Sequence, residues 1–346
     1  MTEPTAAIDL CAYRRNLARL TARVAPAKIM AVVKADAYGH GLLPVAGAAV
    51  QAGVGWIGAL DIETALELRE SGIPHGVAVF VWLLGAAEAF APAIEAAIDF
   101  GVSSLAQLEQ IALAVGTTRA RVHLKIDTGL HRSGASAEEW PALVSRAVEL
   151  SDRVETVGLW THIAEASERE DSVAIARFRS AIAIAEGLGA PVTVRHLAAS
   201  AAAFERADAR FDLVRIGAFS YGISPGGGVT PFSLGLEPVM TLTAPVLAVR
   251  DGLATVGIGY GDGIPSSAAG VMHVAIDGKP HRIVSVDLET LTVDVGGDQV
   301  SPDDSAVLFG GGDGVPTLQE WGDKLGTIGE EIVSRLSPRI PRRYLG

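Results

Sequence analysis

The stretch MAVVKADAYGHG, which spans residues 30–41, decides the fold. Its apolar residues, Met30 to Val33, have the character of a buried strand, and the strand ends in Lys34. Small residues, a tyrosine and a Gly-His-Gly sequence follow and indicate a sharp turn. A helical pattern, GLLPVAGAAVQAG, comes next and is closed by Gly53. The stretch therefore predicts a strand, a turn beside a lysine, and a helix, which together make one β/α unit.

The same alternation of short apolar runs and longer helical patterns recurs along the chain. Roughly eight such units fill about 220 residues, which is the size and rhythm of a (β/α)8 barrel. The runs are continuously apolar, as expected for a parallel sheet covered by helices. The predicted barrel strands are residues 28–34, 56–60, 77–83, 96–101, 121–127, 154–160, 192–197 and 213–217.

The pattern changes after the glycine-rich segment SPGGGVT at residues 224–230. Apolar runs with short links and partial alternation follow, and they indicate a mostly antiparallel β domain. A helical segment, TLQEWGDKLGTIGEEIVSRL, interrupts it. The sequence thus predicts an α/β barrel over residues 1–234 and a C-terminal β domain over 235–346. Residues 5–10 are candidates for the first strand of the β domain.

Composition excludes several classes of partner. The 346-residue chain carries a formal net charge of −12 at pH 7, which disfavours nucleic acid and anionic membrane surfaces. Cys11 is the only cysteine, so neither an intrachain disulfide nor a thiolate zinc cluster is expected. The sequence has neither a signal-peptide pattern at its start nor an apolar run near the ~20 residues of a membrane span. We therefore expect a cytoplasmic protein.

Polar residues stand at or just after the ends of the predicted strands, where barrel enzymes place their active sites. Each also has an ordinary structural interpretation: a terminal lysine can extend to solvent, and Ser200 can cap a helix. The barrel fold would bring all of them to one mouth, which favours a site. They are Lys34, Lys125, Arg132, His162, His196, Ser200 and Arg215.

These residue types point to an aldehyde cofactor. His162 and His196 are far apart in the sequence and no HExxH pattern accompanies them, so no metal site is predicted. A partly desolvated lysine amine can form a Schiff base, and the glycine-flanked RIGAFS segment offers backbone N–H groups to a phosphate. The pattern favours pyridoxal 5'-phosphate, with Lys34 and Lys125 as the lysines at the mouth.

Several segments resemble a known family. AVVKADAYGHG resembles the cofactor-lysine motif of the alanine racemase family, which consists of fold-type III pyridoxal phosphate enzymes. HLKIDTGLHRSG, GLWTHIAEAS, RHLAASAA, LVRIGAFSYGISP and GLEPVMTL are similar to its later blocks in the same order. AAIDLCAYRRNLARL and LSPRIPRRY resemble its two ends, so the resemblance covers nearly the whole chain.

The resemblance implies a role in catalysis for some of these residues. Lys34 would carry the cofactor and act as the base on one face of the amino acid. Arg132 would approach the cofactor's phenolic oxygen and the substrate carboxylate, supported by Lys125, whose counterpart is carbamylated in many family members. His162 would lie against the cofactor ring and help to orient Arg215.

The resemblance also implies a cofactor-binding set and an assembly. Arg215 would face the pyridine nitrogen, and His196 belongs to the residues around the cofactor. The phosphate would be bound with the help of Tyr38, Ser200, Gly217 and Ala218. The expected assembly is a head-to-tail homodimer, and the expected substrate is a small amino acid, alanine first.

One part of the family pattern is missing from the sequence. The family's second base is a tyrosine in a YGxxY-like block of the partner's C-terminal domain, ahead of a GYADG turn. Here EPVMTLTAPVLAVRDGLATV leads directly into GIGYGDG. In addition, Val286 replaces a usual methionine and Ala199 a frequent asparagine. The sequence therefore predicts a divergent member that lacks the tyrosine block.

Three hypotheses follow for the function. The first is an amino acid racemase in which Tyr260 or water replaces the missing base. The second is an enzyme of the same fold with one-base chemistry, such as aldol cleavage of, or elimination from, a β-hydroxy amino acid. The third is a cofactor-binding protein without turnover, which the retained Arg132 and Lys125 disfavour, because a mere binder needs no group for a substrate carboxylate.

Overall fold

A computed structural model describes residues 3–85 and 89–346 of the chain. Within these ranges the chain divides into two compact units. The barrel unit comprises Leu20–Lys34 and Ala49–Gly217, and the sheet unit comprises residues up to Arg19, Ala35–Ala48 and Ala218–Gly346. The units therefore do not follow one cut in the sequence, and the boundary proposed between residues 234 and 235 stays a prediction.

Strand β1 (Thr5–Asp9) belongs to the sheet unit, and the next strands build the barrel unit. In the described ranges, eight parallel strands follow one another around a closed barrel. The last strand pairs with the first, with Met30 opposite Arg215. The predicted (β/α)8 architecture is confirmed. The strands are β2 (Lys28–Val32), β3 (Trp56–Gly58), β4 (Ala78–Val81), β5 (Ile98–Val102), β6 (Ala120–Lys125), β7 (Val154–Trp160), β8 (Val194–His196) and β9 (Leu213–Ile216).

Helices occupy the predicted helical patterns, except that the segment Lys34–Gly39 coincides with the sharp turn predicted after Lys34 and has left-handed backbone angles. None of those in the described residues combines the length and the apolar character that crossing a membrane requires. Their bounds are α1 (Leu10–Val24), α2 (Lys34–Gly39), α3 (Leu42–Gln51), α4 (Ile62–Glu70), α5 (Phe90–Glu95), α6 (Leu105–Leu113), α7 (Trp140–Glu149), α8 (Glu168–Gly187), α9 (Ser200–Glu205), α10 (Leu318–Leu325) and α11 (Gly329–Ser334).

Large side chains fill the interior of the barrel, opposite glycines. A Cβ atom on Gly101 would lie 2.8 Å from the ring of Trp160, and one on Gly158 would lie 2.6 Å from Nδ1 of His123. Layers of side chains fill the interior of such a barrel. Glycine at these two positions leaves the space that the Trp160 and His123 rings occupy. The buried apolar cluster around them consists of Met30, Phe80, Trp160 and Leu213.

The sheet unit contains a mostly antiparallel sheet, as predicted for the C-terminal region. Among the described residues it has eight strands, and β1 lies between one antiparallel and one parallel neighbour. The order across the sheet is β11-β14-β13-β12-β15-β10-β1-β16. The strands are β10 (Met240–Arg250), β11 (Leu253–Val256), β12 (His273–Ile276), β13 (Lys279–Val286), β14 (Leu291–Asp294), β15 (Ser305–Phe309) and β16 (Arg342–Leu345).

A tight hairpin joins β10 to β11. Arg250 pairs with Leu253, so only Asp251 and Gly252 lie in the turn. Both have positive φ, 50° and 75°, as a two-residue turn with the twist of its strands requires. Asp and Gly are the residues that adopt this conformation most readily. The chain thus passes from one strand to the next with no inserted segment at this turn.

Candidate active site

The barrel unit brings the predicted strand-end residues to one end of the barrel. Lys125 is the last residue of β6, and His196 is the last residue of β8. Lys34 follows β2, His162 follows β7, and Arg215 lies in the second half of β9. The strands are parallel and in barrel order, so these carboxyl ends share one mouth. The convergence that the sequence predicted is confirmed by the architecture.

Arg215 is the centre of this group. Its side chain is buried. One terminal nitrogen lies 3.0 Å from Nδ1 of His196. The other lies 2.9 Å from Nδ1 of His162 and donates to the carbonyl oxygens of Thr161 and Leu197 at 2.9 Å. Two histidines that are distant in the sequence therefore meet on one guanidinium.

The donors of Arg215 fix the protonation of both histidines. A guanidinium has only donors, so each Nδ1 must accept, and each neutral ring carries its proton on Nε2. Burial, then the charge of Arg215, lowers the pKa of His162 to about 2, with further contributions from Arg132, Lys125 and Lys34. Burial, then Arg215, also lowers the pKa of His196 well below its ordinary value. Both rings are neutral acceptors at physiological pH.

The mouth is electropositive. Burial, then the charges of Arg215 and Arg132, lowers the pKa of Lys125 to about 8. Burial, then Arg132, lowers the pKa of Arg215 to about 9, which leaves it protonated at neutral pH. The Lys125 amine donates to Ser133 and lies 4.4 Å from the centre of the Trp160 ring. Arg132 itself is exposed on the loop after β6. Such a set of cations favours an anionic ligand.

The sequence patterns did not predict two further candidates for the site, His123 and Asp99. His123 Nδ1 lies 3.0 Å from Nε2 of His196, and His123 Nε2 lies 3.3 Å from a carboxylate oxygen of Asp99. His196 must donate through Nε2, so His123 accepts at Nδ1 and donates from Nε2 to Asp99. Each group from Arg215 to His123 therefore donates to the next one in the chain. Burial by itself would raise the pKa of Asp99, but the hydrogen bonds from His123 and Arg121, with the charge of Arg121, outweigh burial and lower it.

A signal for this chain of hydrogen bonds was present in the sequence. His123 stands two positions before Lys125 in β6 and therefore faces the same side of the strand. Asp99 is a charged residue within an otherwise apolar strand, β5, whose residues are all buried. A buried charge inside a strand requires a partner, so the pair was open to prediction.

Ser200 differs from the expectation. The N-cap position of α9 belongs to Ala199, which makes no side-chain cap. Ser200 is the first helical residue, and its hydroxyl instead accepts a hydrogen bond from the N–H of Gly217 at 3.1 Å. The interpretation of Ser200 as a helix cap is therefore wrong. Its hydroxyl joins the loops that follow β8 and β9, next to the predicted phosphate-binding segment.

The turn after Lys34 lies in the sheet unit and is left-handed. Ala35, Asp36, Ala37 and Tyr38 have φ of 53–54° and ψ of 41–55°. Non-glycine residues pay roughly 1–2 kcal/mol each for this conformation. The N–H of Leu42 donates to the Asp36 carboxylate at 2.7 Å, and the N–H of Gly41 donates to the Asp36 carbonyl at 3.0 Å. The sharp turn that the sequence indicated is thus strained and held by its own hydrogen bonds.

The remaining predicted residues, Tyr38 and Ala218, belong to the sheet unit. Tyr38 is 7% exposed and its ring centre lies 5.0 Å from that of Tyr221. Burial raises the pKa of Tyr38, and the charges of Glu330 and Tyr13 raise it further. The phenol is therefore a neutral hydrogen-bonding group. Ala218 accepts a backbone hydrogen bond from Ile223 at 3.0 Å.

A cavity of about 590 Å³ adjoins His162 in the barrel unit. Its walls are the loop Thr128–His131 and the first half of α8, and the charged side chains of the lining belong to α8. Arg177 donates to the carbonyl oxygen of Thr128 at 3.1 Å and ties the two walls together. The site therefore has open space on the side of the barrel mouth where His162 lies.

The geometry defines a class of protein. A lysine beside the first barrel strand, a buried arginine with neutral histidines, and an excess of cations fit a phosphorylated aldehyde cofactor. Together with a separate antiparallel sheet, they define a barrel-type pyridoxal phosphate enzyme. Residues 8–225 match the family model "Alanine racemase, N-terminal domain", and residues 239–344 match "Alanine racemase, C-terminal domain". The chain belongs to the alanine racemase family.

Individual relatives agree with this assignment. The alanine racemase of Frankia casuarinae is 43% identical, over 98% of this chain and 96% of that protein. That of Thermobifida fusca is 40% identical, over 99% and 98%. The crystal structure of alanine racemase from Streptomyces lavendulae has a TM-score of 0.94 at 38% identity and covers 100% of this chain and 98% of that one. Enzymes of this family are pyridoxal phosphate-dependent isomerases, so the predicted fold, enzyme class and cofactor are confirmed.

Proposed function

We propose that this protein racemises alanine with pyridoxal phosphate, and that Lys34 moves the proton at Cα on one face of the substrate. When bound, the cofactor withdraws electrons from Cα and makes its proton removable. The observation that carries the proposal is the guanidinium of Arg215, buried and held by two neutral histidines and two carbonyl oxygens. A fixed guanidinium beside the cofactor is a group that would tune its electronics.

Arg215 controls the outcome of the reaction because it cannot give up a proton. With pyridoxal phosphate bound, it would face the pyridine nitrogen and keep that nitrogen largely unprotonated, so that electron withdrawal is weak. Weak withdrawal favours return of the proton to Cα over transfer to the cofactor. His162 and His196 hold the guanidinium in place from two sides, and His162 would lie against the cofactor ring.

Arg132 and Lys125 bind and orient the substrate in this proposal. Both contribute positive charge beside His162, and a carboxylate is the group on an amino acid that such charge attracts. Arg132 is exposed and is therefore accessible to an entering amino acid. Lys125 donates a hydrogen bond to Ser133, and in this proposal it assists Arg132. Its lowered pKa, about 8, provides the neutral amine that carbamylation requires.

The phosphate-binding residues in this proposal are Ser200, Gly217, Ala218 and Tyr38. The hydrogen bond between Gly217 N–H and the Ser200 hydroxyl keeps these two groups 3.1 Å apart. Backbone N–H groups and hydroxyls in a glycine-flanked turn suit a phosphate. Tyr38, whose raised pKa keeps its phenol protonated, can donate to a phosphate oxygen without adding negative charge.

The proposal includes weak catalysis on the second face, because the tyrosine block of the family is absent. Two observations support this absence. The β10–β11 hairpin turns on Asp251 and Gly252, and the alignment with the Frankia relative spans 369 positions, which exceeds the length of this chain. Tyr260, half-exposed in the sheet unit, or a water molecule then supplies the second proton. A head-to-tail homodimer and a cytoplasmic location are also part of the proposal.

A second candidate function rests on the same hairpin. Without the tyrosine block, Lys34 would be the only base, and one base suffices for retro-aldol cleavage of, or elimination from, a β-hydroxy amino acid. The cavity of about 590 Å³ beside His162 has space for a side chain larger than the methyl group of alanine. Cleavage of D-threonine or D-serine faster than racemisation of alanine would favour this candidate.

The test of the proposed function has two parts. Purified protein reconstituted with pyridoxal phosphate is expected to show an absorption band of lysine-bound cofactor that Lys34→Ala abolishes. The reconstituted protein is expected to convert L-alanine to D-alanine, followed by coupled oxidation of the D-enantiomer. A protein that cannot be reconstituted would contradict cofactor binding. A protein that binds the cofactor but acts only on D-threonine or D-serine would replace racemisation by the second candidate.

A further inference from the structure

The C-terminal strand of the sheet unit lies against the left-handed turn that follows Lys34. Arg342, in β16, donates from Nε to the carbonyl oxygen of Gly39 at 3.1 Å. Its terminal nitrogens donate to the carbonyl oxygens of Ser337 and Ile340 at 2.7 Å and of Leu336 at 3.3 Å. One guanidinium thus ties the end of the turn to the segment between α11 and β16.

Two glycines in the turn allow this close approach. A Cβ on Gly39 would lie 2.7 Å from the carbonyl oxygen of Val333, and a Cβ on Gly41 would collide with the hydroxyl of Tyr344. Both glycines also have positive φ, 74° and 98°. The turn and the C-terminal segment are therefore packed so tightly that side chains are excluded between them.

Charge adds to this contact. Burial lowers the pKa of Arg342, and the carboxylate of Asp36 partly offsets this lowering, because the guanidinium and the carboxylate attract each other. Asp36 is also the residue that accepts hydrogen bonds from Gly41 and Leu42. The C-terminal segment itself is anchored, since β16 pairs with β1 from Ala6 opposite Arg342 to Asp9 opposite Leu345.

We propose that Arg342 is a positioning residue for Lys34: it holds the strained turn closed and so fixes the chain at the point where the cofactor lysine leaves its strand. A run of left-handed non-glycine residues persists only where surrounding contacts over-determine it. The turn's own hydrogen bonds supply some of these contacts, and Arg342 supplies one from the far end of the sequence. The role assigned to Lys34 rests on the proposed function.

The test compares Arg342→Met with Arg343→Met. Arg343 is the adjacent residue, exposed in the same strand, and successive residues of a strand point to opposite faces. The first measurement is amide hydrogen exchange in the protein without cofactor. For Arg342→Met, the N–H groups of Gly41 and Leu42 are expected to exchange at least about tenfold faster. Arg343→Met is expected to leave them unchanged.

The second measurement is the dissociation constant for pyridoxal phosphate, read from its absorption band. Arg342→Met is expected to raise this dissociation constant about tenfold. Arg342→Lys keeps the charge but loses the planar guanidinium, so its dissociation constant is expected to lie between those of the unaltered protein and Arg342→Met. Unaltered exchange in Arg342→Met would overturn the proposal, as would faster exchange with an unaltered dissociation constant. If Arg342→Met does not fold, Arg342→Lys gives the same comparison.

Failure of the proposed function gives a different result. If the unaltered protein does not bind pyridoxal phosphate, the role of Lys34 falls and this proposal falls with it. The exchange data still report whether Arg342 holds the turn, because they are taken without cofactor. The two failures are therefore distinguishable.

Discussion

The mouth of the barrel and the β10–β11 hairpin differ in how much chemistry they carry. At the mouth, Arg215, His162, His196 and Lys125 are fixed by hydrogen bonds, and Arg215 and Lys125 supply positive charge beside two neutral histidines. At the hairpin, Asp251 and Gly252 complete a turn with no inserted segment. One region carries a set of polar and cationic groups, and the other is a two-residue turn.

This difference separates two parts of catalysis. In the proposed function, tuning the cofactor and removing a proton from one face depend on residues of the barrel mouth. Delivering a proton to the other face would depend on the C-terminal region. We therefore expect substitutions at the barrel mouth to remove all chemistry, and changes at the β10–β11 hairpin to alter only one face.

The largest effect is expected for Lys34→Ala. Loss of the cofactor lysine removes both the anchor and the proton-transfer group, so alanine racemisation is expected to fall at least about 10³-fold. The absorption band of lysine-bound cofactor is expected to vanish. Lys324→Ala, at an exposed position of α10, is the control and is expected to keep both. Retained activity in Lys34→Ala would contradict the assignment of the chemistry to the barrel mouth.

The next effect comes from inserting the tyrosine block whose absence we propose. If the block is absent, insertion of a segment with the family's YGxxY pattern between Asp251 and Gly252 is expected to raise racemisation by on the order of 10²-fold, since a second acid–base group contributes this much or more. The same insertion with phenylalanine in place of its tyrosines is the matched control. Equal rates for both insertions would show that the second face does not limit the reaction.

A smaller effect is expected for Tyr260→Phe. If Tyr260 supplies the second proton, solvent exchange at the slower face of Cα is expected to fall about tenfold, because water remains as a substitute. Exchange at the faster face, measured in the same sample, is the internal control. An unaltered ratio of the two rates would assign the second proton to water.

Stability at acid pH tests the barrel mouth without cofactor. His162 has a pKa of about 2 in the folded protein against an ordinary value of 6.5. Between these values the unfolded chain binds a proton that the folded chain does not, so stability falls as pH drops below 6.5. We expect His162→Gln to reduce this slope by about 1.4 kcal/mol per pH unit.

The measurement is urea unfolding at pH 7, 6 and 5, with His75→Gln, at an exposed site, as the control. A slope in His162→Gln equal to that of the unaltered protein would mean that His162 is not kept neutral by the cations around it.

Sequence patterns sufficed for the barrel because its signal is local. Most barrel strands are largely apolar, and polar residues at or next to the ends of several of them mark the mouth. The left-handed conformation of Ala35–Tyr38 was not predictable, because residues of these types do not favour it. The turn's own hydrogen bonds hold it, and its close approach to Val333 and Tyr344 exists only in the fold.

Side-chain partners were harder to predict than positions. Ser200 stands where a cap is expected, yet its hydroxyl accepts from Gly217, a residue of another loop. Asp99 and His123 appear in strands where apolar neighbours dominate, and their connection to Arg215 through His196 exists only inside the closed barrel. Hydrogen bonds across a barrel depend on which strands face each other, and spacing along one strand does not show it.

The most direct test is the exchange of solvent deuterium into Cα of each alanine enantiomer by the reconstituted protein, followed by mass spectrometry at short times. A racemase with Lys34 on one face and a weak donor on the other is expected to label both enantiomers, one at least about 10²-fold faster than the other. Equal rates for the two enantiomers would contradict the proposal that the barrel mouth transfers protons efficiently and the sheet unit does so only weakly. No label in either enantiomer would contradict proton transfer at Cα of alanine altogether.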